Sequence, residues 1–218
     1  MINAVFSIEP PTALLGLANP LQSADQGIAT WFHDRLTPAF GSVLHALTEF
    51  GSGKSIGIMV FVLVLFFVWK RWWPSLVTLL IAVPCGMLLN EWLKFAVHRE
   101  RPFVEGAFVD WTGYSFASGH TIGATLLYGQ ILLFVLPALK GRHLRLLCIF
   151  SAAALVLLVG FTRIALGAHF LTDVLAAMFF GIVWLMLCTL LGKSVRRRTV
   201  ALATSAQPAQ NCPVKIGG

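Results

Sequence analysis

Charged side chains are scarce in this chain. Asp, Glu, Lys and Arg make up 11% of its 218 residues, while 57% are hydrophobic and the mean hydropathy is +0.81. An average soluble domain carries about 25% charged residues, so an ordinary water-soluble fold is excluded and a membrane-integral one expected. Cysteine is also sparse and badly placed for cross-linking. Cys85, Cys148 and Cys188 fall inside apolar runs and Cys212 lies in the tail, with no C-x-x-C spacing, which excludes a disulfide framework or a zinc finger and leaves small buried hydrophobes. The first 19 residues lack a basic n-region and are interrupted by Glu9-Pro10-Pro11, so they do not read as a secretory signal. Internal repeats and a second domain are missing as well.

Long apolar runs are what the chain has in abundance. Pro74 to Phe95, Gly119 to Leu139, Leu144 to Ile164 and Phe170 to Gly192 each match the roughly 20 residues that cross a hydrocarbon core about 30 Å thick. A fifth run, Ser55 to Trp73, is shorter and ends in Lys70-Arg71-Trp72-Trp73, where basic side chains snorkel and indoles sit at the interface. Residues 1 to 28 read as loosely structured. Ala29 to Phe50 alternates apolar and polar groups at helical spacing, and Asp34, Arg35 and Glu49 make it a poor span, so an amphipathic helix lying on the membrane is expected there, with a sixth span as the alternative. The fold class expected is all-α: a polytopic membrane helical bundle of five spanning helices plus that N-terminal amphipathic helix. Its parts are an N-terminal segment over 1–54, a membrane-embedded core over 55–192, and a basic, disordered tail over 193–218.

With five spans, alternate connections share a side. One side receives Lys70, Arg71, Lys140, Arg142, Arg145, Lys193, Arg196, Arg197, Arg198 and Lys215 and no acidic residue; the other receives all nine acidic residues with the remaining basic ones. The positive-inside rule makes the first side cytoplasmic, with the C-terminus, and faces the other side outward. The net charge of +7 is thus accounted for by topology, and no nucleic-acid partner is implied.

Three short motifs fall on the outward side: Lys94-x6-Arg101-Pro102, Ala117-Ser118-Gly119-His120, and Thr162-Arg163-x5-His169-x3-Asp173. His169 and Asp173 stand four apart at the start of the last span and so share a helix face. A carboxylate there accepts the proton of one imidazole nitrogen and leaves the other as an outward lone pair, which is how a histidine nucleophile is made. Arg163, at the end of the preceding span, brings a guanidinium fork suited to phosphate oxygens. Ser118 and Gly119 open a helix whose unpaired N–H groups attract an anion, and His120 beside them can protonate a departing alkoxide. Lys94 and Arg101 flank the end of the second long span, where charge is costly and usually functional. The bland alternatives are an interfacial anchor for His169, a helix cap for Ser118, a snorkelling Arg163, and a structural ion pair of Lys94 with Glu91.

Together these residues resemble the type 2 phosphatidic acid phosphatase and vanadium haloperoxidase superfamily, in its membrane-integral lipid phosphatase branch. The resemblance implies that His169 becomes a phosphohistidine, that Asp173 orients it, and that His120 is the general acid. It also implies that Lys94, Arg101, Ser118, Gly119 and Arg163 bind the phosphoryl oxygens, with no metal or other cofactor. Ala117 stands where that family usually has Pro, and Thr162 where it usually has Ser. The expected activity is metal-independent hydrolysis of a lipid phosphate or diphosphate at the outer face of a bacterial-type inner membrane, with undecaprenyl diphosphate favoured by analogy. Phosphatidylglycerophosphate and phosphatidate are rival substrates; a lipid phosphotransferase and a non-enzymatic lipid-binding or transport protein are rival functions. The loop from Phe103 to Phe116, with Glu105, Asp110, Trp111 and Tyr114, is the expected selector of substrate.

Overall fold

The structure, a computed structural model, describes residues 22–103 and 113–205. Those residues form helices and connections and no strand. Helix α1 (Gln22–His33) and α2 (Pro38–Thr48) are followed by a 3-10 turn (Glu49–Gly51) and α3 (Gly53–Trp69). Then come α4 (Trp73–Leu80), a π-helical turn (Ile81–Cys85), α5 (Gly86–Val97), α6 (Gly119–Val135), α7 (Arg142–Ala165) and α8 (Leu171–Ser205). Among the described residues, five stretches are long and apolar enough to cross a membrane: Pro38–Trp69, Trp73–Val97, Gly119–Ala138, Arg142–Ala165 and Leu171–Ser194. The chain is therefore an integral membrane protein with an all-helical bundle.

The N-terminal region differs from the sequence expectation in three ways. Ordered helix begins at Gln22, within the stretch read as loose, and the single helix expected over Ala29 to Phe50 is two helices. Thr37 breaks it: its extended backbone and a hydroxyl that accepts from the Phe40 N–H cap α2, with Pro38 in the first turn where a missing N–H is harmless. Residues α2 onward join α3 as part of the first candidate span, instead of lying wholly on the surface. At the other end α8 runs to Ser205, past Gly192, so residues 193–205 of the expected tail continue the last helix; residues 206–218 lie outside the described ones.

Helix α6 is the most buried of the five spans and packs against α3, α5, α7 and α8. Small residues let its neighbours close on it, the usual way membrane helices associate without a hydrophobic drive between them. A side chain built on Gly181 of α8 would place its Cβ 2.8 Å from Thr125 Cγ2 and 3.0 Å from Thr125 Cβ on α6. Many of the exposed large side chains, such as Ile58, Phe61, Leu65, Leu88, Phe150, Leu157, Phe179 and Leu190, stand on the spanning helices, as a lipid solvent requires. Pro84 interrupts the second span; the π turn around it accommodates the lost N–H, and the Trp184 indole N–H donates to the Ala82 carbonyl at 3.0 Å.

Two chain reversals bring the motifs to one end of the bundle. His98 takes a left-handed φ of 52° and ends α5, its N–H donating to the Lys94 carbonyl. Gly167 takes φ +68° between α7 and α8, and a Cβ there would lie 2.7 Å from the Phe103 ring, so both the backbone and the packing require glycine. Overpacking the α6–α8 contact tests this arrangement. Gly181→Val is expected to cost about 1–3 kcal/mol and lower the melting temperature in lipid nanodiscs. Gly57→Ala, where nothing lies within 4 Å of the added carbon, is expected to leave it unchanged.

Candidate active site

The turn after α7 builds the centre. The Ala168 and His169 N–H groups both donate to the Arg163 carbonyl, at 3.0 and 3.2 Å, which fixes the His169 ring over the end of that helix. His169 is 2% exposed. Its Nδ1–H donates to the Ser115 backbone carbonyl at 2.7 Å, and because a carbonyl only accepts, the proton sits on Nδ1 and the lone pair on Nε2. Nε2 lies 3.5 Å from the Arg101 guanidinium. Burial, then the positive charges of Arg163 and Arg101, holds the imidazole well below its usual pKa despite the Ser115 bond, so the ring is neutral near pH 7.

Asp173 stands in the first turn of α8 and is fully buried, yet it is not the immediate partner of the His169 ring. Its Oδ2 is 3.9 Å from Nδ1, too far for a hydrogen bond. Instead Oδ2 accepts the Ser115 hydroxyl and the Phe170 N–H, the latter at 3.0 Å, and Oδ1 accepts from Arg99 at 2.5 Å. The carboxylate therefore reaches His169 through Ser115: it holds the serine side chain, whose own carbonyl holds the ring. The direct Asp–His pairing expected from the i, i+4 spacing is displaced because Asp173 reaches back to cap its own helix at Phe170.

Arg99, unremarked in the sequence, is the hub of this arrangement. It bridges Asp173 and, at 2.8 Å, Asp25 of α1, donates to the Thr172 hydroxyl at 2.7 Å, and lies 4.2 Å above the Phe170 ring. Its carbonyl accepts the Ser115 N–H at 2.7 Å. Asp25 is 1% exposed and also accepts the Thr172 N–H and hydroxyl. Burial by itself would raise the Asp25 pKa, but the bonds from Thr172 and Arg99 outweigh it and hold the carboxyl below its usual value.

The remaining motif residues gather around the start of α6. Arg101 donates to the carbonyls of Gly113 (3.0 Å) and Ala168 (2.8 Å), which aims its guanidinium at His169. Burial holds the Arg101 pKa below its usual value, with the Asp173 charge offsetting only part of that, and the group stays charged at neutral pH. Ser118 caps α6 with its backbone, makes no side-chain cap bond, and accepts the Thr121 hydroxyl at 3.0 Å. Lys94 pairs with Glu91 at 2.7 Å, and a Cβ on Gly119 would lie 3.6 Å from its Nζ, so the ion pair and the approach to α6 coexist. Arg163 is 2% exposed and donates to the Thr48 hydroxyl at 3.4 Å. His120, half-buried in the first turn of α6, lies within the field of Arg163, Lys94 and Arg101. The Thr162 hydroxyl donates to the Val159 carbonyl of its own helix at 2.7 Å and so is spent away from the site. Of the expected substrate-selecting loop, residues 104–112, which include Glu105, Asp110 and Trp111, lie outside the described residues.

Lys94, Arg101, Arg163, His120 and His169 thus gather within one another's electrostatic reach at one end of a membrane bundle, an arrangement suited to an anion. Residues 75–197 match the family model of the PAP2 superfamily. The chain belongs to the PAP2 superfamily. It is 29% identical over 182 residues to phosphatidylglycerophosphatase B of Bacillus subtilis (strain 168), covering 82% of this chain and 88% of that one. Its fold matches the crystal structure of a transmembrane PAP2-type phosphatidylglycerolphosphate phosphatase from Bacillus subtilis with a TM-score of 0.73 at 26% identity, over 82% of this chain and 89% of that one. The crystal structure of Aquifex aeolicus LpxE matches with a TM-score of 0.56 at 20% identity, over 76% and 94%, a likeness of fold. Within the superfamily the five apolar helices and the phosphatase relatives make this chain a membrane-integral lipid phosphatase.

The neutral, Nδ1-protonated state of His169 is directly measurable. In protein labelled with 15N-histidine, one imidazole is expected to keep the shifts of the neutral Nδ1–H tautomer at pH 6 and to vanish in His169→Gln. A His169 signal that titrates near pH 6.5 would refute the assignment.

Proposed function

We propose that the chain hydrolyses a lipid phosphate without a metal, through a phosphohistidine on His169. One observation carries the reading: His169 Nδ1–H is tied to Ser115 while Nε2, neutral and unprotonated, faces the Arg101 guanidinium. In the first step the Nε2 lone pair attacks phosphorus in line with the P–O bond to the lipid. That bond breaks, and the departing alkoxide takes a proton from His120. In the second step the neutral His120 takes a proton from water, the water oxygen attacks phosphorus, and the P–N bond breaks, returning His169 and releasing inorganic phosphate. Lys94, Arg101, Arg163, Ser118 and the N–H groups at Gly119 bind the phosphoryl oxygens, whose negative charge is concentrated in the transition state. Asp173 acts on His169 by way of Ser115.

Phosphatidylglycerophosphate is the substrate we place first, because the phosphatidylglycerophosphatase relatives cover most of this chain. Undecaprenyl diphosphate, favoured by the sequence analysis, is the second reading and is supported by the outward placement of the site that the charge asymmetry implies. Phosphate release from a panel of the two lipids and phosphatidate decides the order.

His169→Ala is expected to abolish phosphate release, His120→Ala to lower it about 10²–10⁴-fold, and Asp173→Asn to lower it by orders of magnitude while leaving a trace. Turnover should persist in chelator and be blocked by vanadate, a trigonal-bipyramidal mimic of the transferring phosphoryl group. Near wild-type release from His169→Ala, or activity that chelator removes and a divalent ion restores, would overturn the mechanism. The outward orientation has its own test. With the native cysteines replaced, a cysteine at Gly106 should react with a membrane-impermeant thiol reagent in intact cells, and one at Gly141 only after the membrane is opened.

A further inference from the structure

Asn90 lies on α5 one turn before Lys94, with 0% of its surface exposed. Among the described residues, neither its Nδ2 nor its Oδ1 has a hydrogen-bond partner. An amide buried with both ends unpaired is expensive, and a leucine of similar size would pack there without that cost. Natural chains retain such a group where a ligand completes it.

The direction of the amide says where the ligand sits. A Cβ built on Gly119 would lie 3.5 Å from Asn90 Nδ2 and 3.6 Å from Lys94 Nζ, so the amide nitrogen and the ammonium both abut the first residue of α6. The first backbone bond within that helix is from the Ile122 N–H to the Ser118 carbonyl. The N–H groups of Gly119 to Thr121 therefore stand at the same end as the two side-chain donors. Nδ2 is a donor among donors, as an anion site needs. Oδ1 is the misfit: a carbonyl dipole facing a bare phosphate dianion is repelled, so an acceptor retained there calls for a hydroxyl on the ligand.

We propose that Asn90 is a headgroup-binding residue, with Nδ2 donating to a phosphoryl oxygen held at the start of α6 and Oδ1 accepting from a hydroxyl on the carbon chain next to that phosphate. The ligand class is a phosphate monoester bearing a neighbouring hydroxyl, as a glycerol phosphate headgroup does; a prenyl diphosphate and phosphatidate, whose glycerol oxygens are acylated, lack it. This rests on the phosphatase reading above and narrows its substrate.

The test compares kcat/KM of full-length wild type, Asn90→Leu and Asn90→Asp in nanodiscs on short-chain phosphatidylglycerophosphate, phosphatidate of the same acyl chains, and farnesyl diphosphate. Asn90→Leu is expected to lose about 10- to 100-fold on the hydroxyl-bearing lipid and less than about 10-fold on the other two, with a melting temperature equal to or above wild type. Asn90→Asp keeps the shape but adds a negative charge beside the phosphate. Its activity relative to wild type should recover as the pH falls from 8 to 5 and the introduced carboxyl gains a proton, a change that a purely structural asparagine would not produce. Equal losses on all three lipids would overturn the hydroxyl assignment, and wild-type kcat/KM in Asn90→Leu would overturn the role of Asn90 altogether. If the wild-type protein itself releases no phosphate from any of the three, the phosphatase reading fails first, which separates the two failures.

Discussion

One guanidinium between two buried carboxylates organises this end of the bundle. Asp25 and Asp173 are taken almost wholly out of solvent, where an unpaired charge is very costly, and Arg99 lies against both. Hydroxyls of Thr172 and Ser115 and two backbone N–H groups take up the carboxylate oxygens that remain. The pairing joins three segments that share no sequence neighbourhood: the first helix, the loop after α5, and the start of α8. It is also what holds Ser115, and Ser115 holds the imidazole. The imidazole is positioned by a cluster none of whose charged members hydrogen-bonds to it.

The division of labour follows from charge. The phosphate binding proposed for Lys94, Arg101 and Arg163 asks that nearby carboxylates not cancel their charge. Glu91 pairs with Lys94 from an exposed position, and Arg101 is steered by neutral carbonyls. The two buried carboxylates are matched by Arg99, by hydroxyls and by backbone N–H groups. Helix α6 supplies the rest, because its start is left open by a serine whose side chain does not close the cap.

Much of this was legible in the residues alone. Hydropathy located the last four spans to within a few residues, since the apolar runs are long and the breaks between them polar, but it missed that α2 extends the first span back to Pro38. The three motifs fell at one end because counting crossings is insensitive to helix boundaries. Less legible were contacts between distant residues: nothing near Asp25 marks it as buried, and its bonds to Thr172 bridge a separation of 147 residues. Arg99 looked like one more loop cation, and Ser115 acts through a backbone carbonyl that any residue possesses. The i, i+4 spacing of His169 and Asp173 did report proximity, but proximity alone could not decide between a direct bond and a helix cap with a serine between. The break at Thr37 was signalled by a capping residue followed by proline, a local cue overridden in the reading by the longer amphipathic pattern.

The span of that first contact bears on how the molecule is made. Asp25 emerges from the ribosome early and Thr172 and Asp173 late, after four of the five spanning helices. Until α8 arrives, Arg99 lacks one of its carboxylates, Ser115 lacks the acceptor that fixes its hydroxyl, and His169 has not been synthesised. On the proposed role of His169, a partly inserted chain is catalytically silent and activity switches on with the final helix. For a lipid phosphatase, that order would withhold hydrolytic power from the membrane's own lipids until the chain is fully threaded.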